Sequence, residues 1–548
     1  MFTPEPSEMA IDVGSEDARL RATTGRMIAV GIVLAVAGFG TACALGLGTF
    51  TSFRLFFHAY LTVFALFLSI TLGALFFVLL HHLCRAGWSV TLRRLAEALS
   101  GNVGLMLLLF LPLVAGMGDL YPWWRMAGGA SLFHTNGGRA VGFCPGGASD
   151  NSPAGHHAKH GRRWDTSRSG HPASPVGTIE RGTTPRLQSS LRDSENPRVA
   201  HLPSDKSLGY YQSSLRDGET QIVLCAMPTA MAADEAQIGG TPKGDSPILA
   251  APKSGQSPGQ AVYLTPTAFL LRMAVYFAVW GALTWYLRSQ SLRQDATGDV
   301  RLTAAMERVS GPGMILLAVT VTLASVDLLM SLSPHWSSTI FGVYYFIDCI
   351  LSGLVVLTLL ALGLQAAGHL RGAITVEHYH DLGKLTFAFV FFWGYIAFSQ
   401  YLLIWYANMP EETQYYQPRQ AGPWAAVSIV LVLCHLLIPF AGLLSRHAKR
   451  RLGVFAFWAI WVLAAQLLDM FWLVMPNLFA EEIAGGADAA LVPAVSATLG
   501  PLPLAIVAGL SLGMGGLLLA NTARLLRAGP MVPVADPRLS ESLAFENA

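Results

Sequence analysis

The sequence predicts an all-α integral membrane protein of ten transmembrane helices, and three observations carry that prediction. Charged residues make up only 13% of the 548-residue chain, about half the share of a typical soluble domain. Hydrophobic residues make up 53% and fall in runs of roughly 20, the length a helix needs to cross the hydrocarbon core. Lys and Arg gather in alternate loops. The same composition excludes a disordered chain and argues against a soluble enzyme, whose surface needs more charge. A net charge of +2 with neutral His gives no support for nucleic-acid binding.

The runs are Met27–Gly48, Arg54–Leu80, Gly101–Gly118, Pro266–Leu287, Pro312–Leu332, Ser338–Leu364, Lys384–Tyr406, Ala421–Leu444, Gly453–Met475 and Leu499–Ala520. Residues 1–26 and 521–548 are read as tails, 27–118 as spans one to three, 119–265 as a loop and 266–520 as spans four to ten. Met1–Asp17 is acidic and Pro-bearing, and the apolar stretch behind it is too long for a cleavable signal. Arg85, Arg93 and Arg94 lie between spans two and three, and Arg288, Arg293, Arg301 and Arg308 between four and five. Arg371 and Lys384 sit between six and seven, Arg446, Lys449, Arg450 and Arg451 between eight and nine, and Arg524, Arg527 and Arg538 after ten. The opposite short loops are nearly free of Lys and Arg, Arg419 beside Glu411 and Glu412 excepted, and the length of the loop 119–265 exempts its basic residues from the rule. Ten spans with both termini cytoplasmic satisfy this alternation. Tyr121-Pro122-Trp123-Trp124, Pro334-His335-Trp336 and Trp405-Tyr406 then mark the outer interface.

The loop Gly128–Ala261 is rich in Gly, Ser, Pro, Arg and His, a composition that cannot bury a core. It holds a near-repeat, QSSLRDSE at Gln188–Glu195 and QSSLRDGE at Gln212–Glu219, and a His156, His157, His160 group that reads as solvated loop histidines. Cys43, Cys84, Cys144, Cys225, Cys349 and Cys434 show no spacing for covalent haem, iron–sulfur or structural zinc. No P-loop, nucleophile elbow or H-E-x-x-H is present.

Several long strings carry a resemblance. They are DLYPW at Asp119–Trp123, SLRQDATGD at Ser291–Asp299, SLSPHWSSTIFGVYYF at Ser331–Phe346, EHYHDLGKLTFAFVFFWGYIAFSQYLLIWYANMPEE at Glu377–Glu412 and LLDMFWLVMP at Leu467–Pro476, with HHL at His81–Leu83. Over Met27–Trp124 and Tyr263 to Ala520 the chain resembles ActF, the smaller NrfD-like membrane subunit of bacterial alternative complex III. That complex is a quinol:cytochrome c (or other acceptor) oxidoreductase of the inner membrane. The resemblance implies two four-helix bundles, spans two to five and six to nine, flanked by spans one and ten. It implies no redox centre in this chain. Menaquinol or ubiquinol would be oxidised with haem and iron–sulfur partner subunits on the outer face, beside a larger NrfD-like subunit. The smaller subunit's implied share is a proton path and a scaffold. The Gly128–Ala261 insertion departs from the family pattern.

Ionisable side chains at bilayer depth cost at least about 2.5–3.5 kcal/mol, so they pair, line water or carry protons. Glu377, His378, His380, Asp381 and Lys384 cluster at the entry of span seven, with His81, His82 and Glu97 on the same side. They suit either a proton antenna or an ordinary capped helix end. Asp348 on span six and His435 on span eight lie near mid-depth at about 1.5 Å rise per residue. They are relay candidates, or members of fixed interhelical hydrogen bonds. His435 has no mid-depth His partner for a haem. Asp327 and Asp469 end spans five and nine toward the outer side, as one exit cluster or as structural ion pairs. Arg272 and His58 lie at a depth to pair with them, Gln466 shares the face of Asp469, and Tyr395 and Gln400 could bridge gaps. Three functions follow. One is a non-redox subunit with a proton pathway through Glu377, His378, His380, Asp381, Lys384, His435, Asp348, Asp327 and Asp469. Another is a quinol-binding subunit using His58, Arg272, Asp327 and Asp469. The third, a stand-alone transporter, lacks paired broken helices.

Overall fold

The computed structural model describes residues 13–48, 53–126, 263–479 and 496–546, all within one compact unit. The insertion with its near-repeat and histidines, Cys144 and Cys225 lie outside the described residues. Ten helices are long and apolar enough to cross a membrane. They are α1 Arg19–Gly46, α2 Phe53–Leu83, α3 Val90–Ala115, α4 Pro266–Thr297, α5 Arg301–Leu332, α6 Phe341–Ala366, α7 Val376–Ala407, α8 Pro423–Leu444, α9 Leu452–Leu478 and α10 Pro501–Leu526. No strand occurs among the described residues, and the chain is an all-α, multi-pass membrane protein.

Within α2–α5, α2 packs on α3 and α5, and α4 on α5. Within α6–α9, α6 packs on α7 and α9, and α8 lies against both α7 and α9. These are the two bundles, and α1 and α10 pair closely beside them. Without water to drive helices together, membrane packing depends on small residues that let backbones touch. At the seam between bundles, α2 meets α6 at Gly73 and Gly353. A Cβ on Gly73 would overlap the Cys349 carbonyl, and one on Gly353 would strike the Gly73 backbone.

Several helices run further than their apolar windows. Helix α3 starts at Val90 rather than Gly101, turns at Gly101-Asn102 and continues to Ala115. Arg93, Arg94 and Glu97, assigned to a loop by hydropathy, are therefore helical and buried. Helix α4 reaches Thr297, where Gly298 takes a left-handed φ of 67° and stops it. Helix α5 begins at Arg301, so Arg288, Arg293, Arg301 and Arg308 all lie on helices rather than in a loop. Helix α7 begins at Val376, and Thr375 and His378 cap it reciprocally. In each case charged side chains ended the hydropathy window while the backbone, paired to itself, continued.

The C-terminal segment is no free tail. Residues 521–526 complete α10. Beyond it, Asp536 meets Arg93, and helix α11 (Leu539–Leu543) sets Ser542 against Thr91, Trp88 and His378. The Arg527 Nε donates to Thr24 Oγ1 at 2.7 Å, placing both described ends on one face. That face, called basic below, also holds Arg93, Arg94, Arg450 and Arg538.

Replacing Gly73 by Ala forces the two bundles apart, with an expected loss of about 1–3 kcal/mol in unfolding measurements on the purified protein. Gly40→Ala, where a Cβ meets nothing within 4 Å, serves as the control and is expected to stay within about 1 kcal/mol of the parent.

Candidate functional site

The deepest polar group is a cluster in the second bundle. Asp469 on α9 accepts from the Tyr344 hydroxyl at 2.6 Å and from the Trp393 indole N–H at 3.2 Å. Asp348 on α6 lies beside Asp469 and Gln466. Gln466 Nε2 is 3.1 Å from His435 Nε2, and the His435 ring lies 3.8 Å from that of Trp393. Asp348, Asp469, Gln466 and His435 are each 0% exposed. No hydrogen bond of good geometry reaches either carboxyl oxygen of Asp348 or Gln466 Oε1, although the Asp469 carboxyl and the Gln466 amide adjoin them. The Tyr344 and Trp393 donors are both spent on Asp469. An ionised Asp348 would set a second charge beside Asp469, whereas a proton on it lets one carboxyl donate to the other.

The backbone supports the placement of His435. Residues Val432–Leu437 form a π-helical turn within α8, a wide turn that frees carbonyls and often marks a functional position. Trp461 answers one of them, its indole N–H donating to the Cys434 carbonyl at 2.8 Å.

The buried cation nearest this cluster is Arg419. It is 1% exposed, and its guanidinium donates to the carbonyls of Tyr415 (2.6 Å) and Leu473 (2.9 Å) and to Asn477 Oδ1 (3.3 Å). It stacks on Tyr415 at 3.7 Å, and Tyr415 stacks in turn on Trp336. Burial raises the Tyr415 phenol, with Arg419 opposing. Arg419 influences Tyr344 and Tyr415 but forms no ion pair with either aspartate. From Asp469 the polar residues lead through Tyr344 to Arg419, Asn477 and Ser333, toward the face opposite the termini.

On the basic side the cluster meets a dry layer. Leu351, Val355, Val390, Ala459 and Val462 are all 0% exposed and pack together. They sit one or two helical turns from Asp348, Trp393 and Gln466 on their own helices. The entry group lies beyond this layer and is engaged in its own pairs. Glu377 pairs with Arg450, and Asp381 with Lys384. His378 contacts Thr375 Oγ1 at 2.9 Å and Ser542 at 3.2 Å, and His380 is largely buried. His81 Nδ1 lies 2.7 Å from Ser89 Oγ, with His82 buried next to it.

The first bundle offers a contrast, because its buried charges are matched. Arg93 pairs with Glu97 (3.2 Å) and Asp536, and Arg94 with Glu97 (3.2 Å) and Asp295. Asp327 accepts from Arg272 Nη2 at 2.7 Å, Arg272 Nε at 3.0 Å and the Tyr276 hydroxyl at 2.9 Å. Arg272 also lies 3.8 Å over the Tyr263 ring. Burial and then the Asp327 charge push the Tyr263 phenol up to about 12.

The structure thus unites Asp348, Asp469, Gln466 and His435, which sequence depth had divided between middle and outer levels. It separates Asp327 from Asp469, which belong to different bundles and have different partners, so they form no single exit cluster. The pairing of Arg272 with Asp327 is present. His58 pairs with neither aspartate, its Nδ1 lying 2.7 Å from the Arg54 carbonyl of its own helix. Tyr395 is 59% exposed on the bundle surface and bridges nothing inward, and Gln400 bonds Tyr416 instead. Tyr344, Trp393 and Arg419 were not anticipated. A lone Arg in an acidic loop was the one available signal. Among the described residues no three His, Cys, Asp or Glu converge as a metal site. Comparison with models of known families and with curated proteins returned no match.

The two kinds of buried charge respond differently to substitution. Arg93→Leu orphans buried carboxylates and is expected to lower unfolding free energy by about 3–5 kcal/mol. Asp348→Asn orphans no cation and is expected to change it by less than about 1 kcal/mol. Thermal or denaturant unfolding of the purified protein checks both.

Proposed function

We propose that this chain is a non-redox membrane subunit of a quinol-oxidising electron-transfer complex of the alternative complex III type. Its second bundle would hold a buried proton-exchange site. The observation that carries the proton reading is the charge balance of the cluster. Two adjoining carboxyls, Asp348 and Asp469, are fully buried, and among the described residues no Arg or Lys forms an ion pair with either; the buried Arg419 is tied to the backbone carbonyls of Tyr415 and Leu473 instead. Asp469 has the Tyr344 and Trp393 donors, whereas Asp348 is neutral only while it keeps a proton, because an unmatched charge at this depth is costly.

Access in this reading comes from the face opposite the termini, along Tyr344, Arg419 and Asn477. The aliphatic layer closes the other side, so the described arrangement supports half a pathway. His435 and Gln466 form the inner end of that half, where a proton crossing the layer would arrive. The entry residues Glu377, His378, His380, Asp381 and Lys384 would serve a second half only if the layer opened. In the bacterial inner membrane, with the basic face cytoplasmic, the open half faces the side where the haem and iron–sulfur partners would dock.

The quinol-binding alternative draws less support. Arg272 neutralises Asp327, and His58 is bound within its own helix, so neither is poised to take a quinol proton. The transporter reading also gains nothing. The interruptions at Gly101-Asn102 in α3 and Val432–Leu437 in α8 do not occupy corresponding helices of the two bundles.

The decisive material is the assembled complex in proteoliposomes. Asp348→Asn and Asp469→Asn are each expected to lower the rate of proton movement about a hundredfold, the low end for a lost proton-transfer group, while the partner haems stay bound. Unchanged turnover with unchanged proton movement removes the pair from any pathway. Loss of bound quinone favours the quinol-site reading.

A further inference from the structure

A cavity of about 710 Å³ lies between the α1–α10 pair and α6, in the half of the protein nearest the basic face. Its volume falls within the about 300–1,000 Å³ of small-molecule sites. The walls are aliphatic and aromatic, with Met27, Phe67, Leu360 and Leu518 among them. Its end near the basic face carries Thr23, Arg26 and Thr522. Arg26 is the one charged residue in the lining, and it forms no ion pair among the described residues. Arg527, outside the lining, adds a second positive charge at this end of α1, bonding Thr24 and the Arg21 carbonyl. Gly363 on α6 also lines the space, and a Cβ there would meet nothing within 4 Å.

The geometry points to a site for one phospholipid of the basic-face leaflet, with an acyl chain in the groove and an anionic phosphate headgroup at Arg26. An apolar cavity with a cation at headgroup level matches such a lipid at both ends, and the Thr23 and Thr522 hydroxyls there are held by His369 and Asn102. Basic pockets between helices on this side of a membrane favour anionic headgroups. A quinone fits less well, because no carboxylate or imidazole lines the cavity itself; the His369 imidazole stands behind the wall, 2.9 Å from the Thr23 hydroxyl. Occupancy would brace α1 and α10 against the bundles, since α1 makes its main contacts with α10 alone. This site stands apart from the Asp348–Asp469 cluster and does not rest on the proton reading.

The test uses the full-length protein, stripped of lipid in detergent and supplied separately with phosphatidylglycerol, phosphatidylethanolamine and a ubiquinone analogue. Binding is read by native mass spectrometry and by the rise in unfolding temperature. Phosphatidylglycerol is expected to bind as one retained molecule and to stabilise most. Arg26→Gln is expected to weaken its binding about fivefold, the contribution of one basic residue at an anionic membrane surface. Gly363→Leu, which projects into open space and leaves the fold intact, is expected to abolish retention. Equal binding of the zwitterionic lipid, preference for the quinone, or retention unaffected by both substitutions overturns the assignment.

Discussion

A charge placed in hydrocarbon must be matched by another charge, by hydrogen bonds or by a proton. In this protein buried carboxylates such as Asp327 and Glu97 are held by adjacent arginines, and the Asp348–Asp469 pair, which has none, is where the proposed proton site lies. The basic-face network binds Arg93, Arg94, Glu97, Asp295 and Asp536 into an ionic knot that joins α3, α4 and the C-terminal segment. Such knots hold position because breaking any member strands its partner. Asp327 and Arg272 do the same near the opposite end of the first bundle. Asp348 and Asp469 have no arginine of their own, and the proposed proton takes the place of one.

The architecture makes that dependence directional. Helix α9 places Gln466 and Asp469 one turn apart on its inward face, α6 brings Asp348 across to them, and the π turn of α8 swings His435 onto Trp393. One turn closer to the basic face, the same helices present Leu351, Val355, Val390, Ala459 and Val462 instead. Titratable groups therefore continue in one direction, while in the other the aliphatic layer leaves only the buried Ser352–Ser69 hydroxyl pair beside Asp348. A protein that only needed a scaffold could fill this core with aliphatic residues throughout, at lower cost.

Much of the fold was legible in the sequence, because span length and loop charge are imposed by the bilayer itself. The ten spans and the shared face of the two ends follow from those constraints. The start of α3 was not legible, since Arg93, Arg94 and Glu97 depress hydropathy at positions where ion pairing removes their cost. The site was legible in part. Asp348, Asp469, Gln466 and His435 stand out as polar residues in apolar runs, but which of them meet depends on helix rotation, which one sequence does not encode locally. The separation of Asp327 from Asp469 was hidden for the same reason. Arg419 was hidden because its loop folds back into the bundle, where Tyr415, Trp336 and Trp472 enclose it.

The central claim is that the Asp348–Asp469 pair, which has no arginine of its own, retains a proton. Infrared difference spectroscopy of the purified full-length protein at neutral pH tests it most directly, through the carbonyl-stretch band of a protonated carboxyl. The account predicts that band in the parent protein and its loss in both Asp348→Asn and Asp469→Asn, where the remaining carboxylate no longer faces a second one. A spectrum in which neither substitution removes any protonated-carboxyl signal would contradict it.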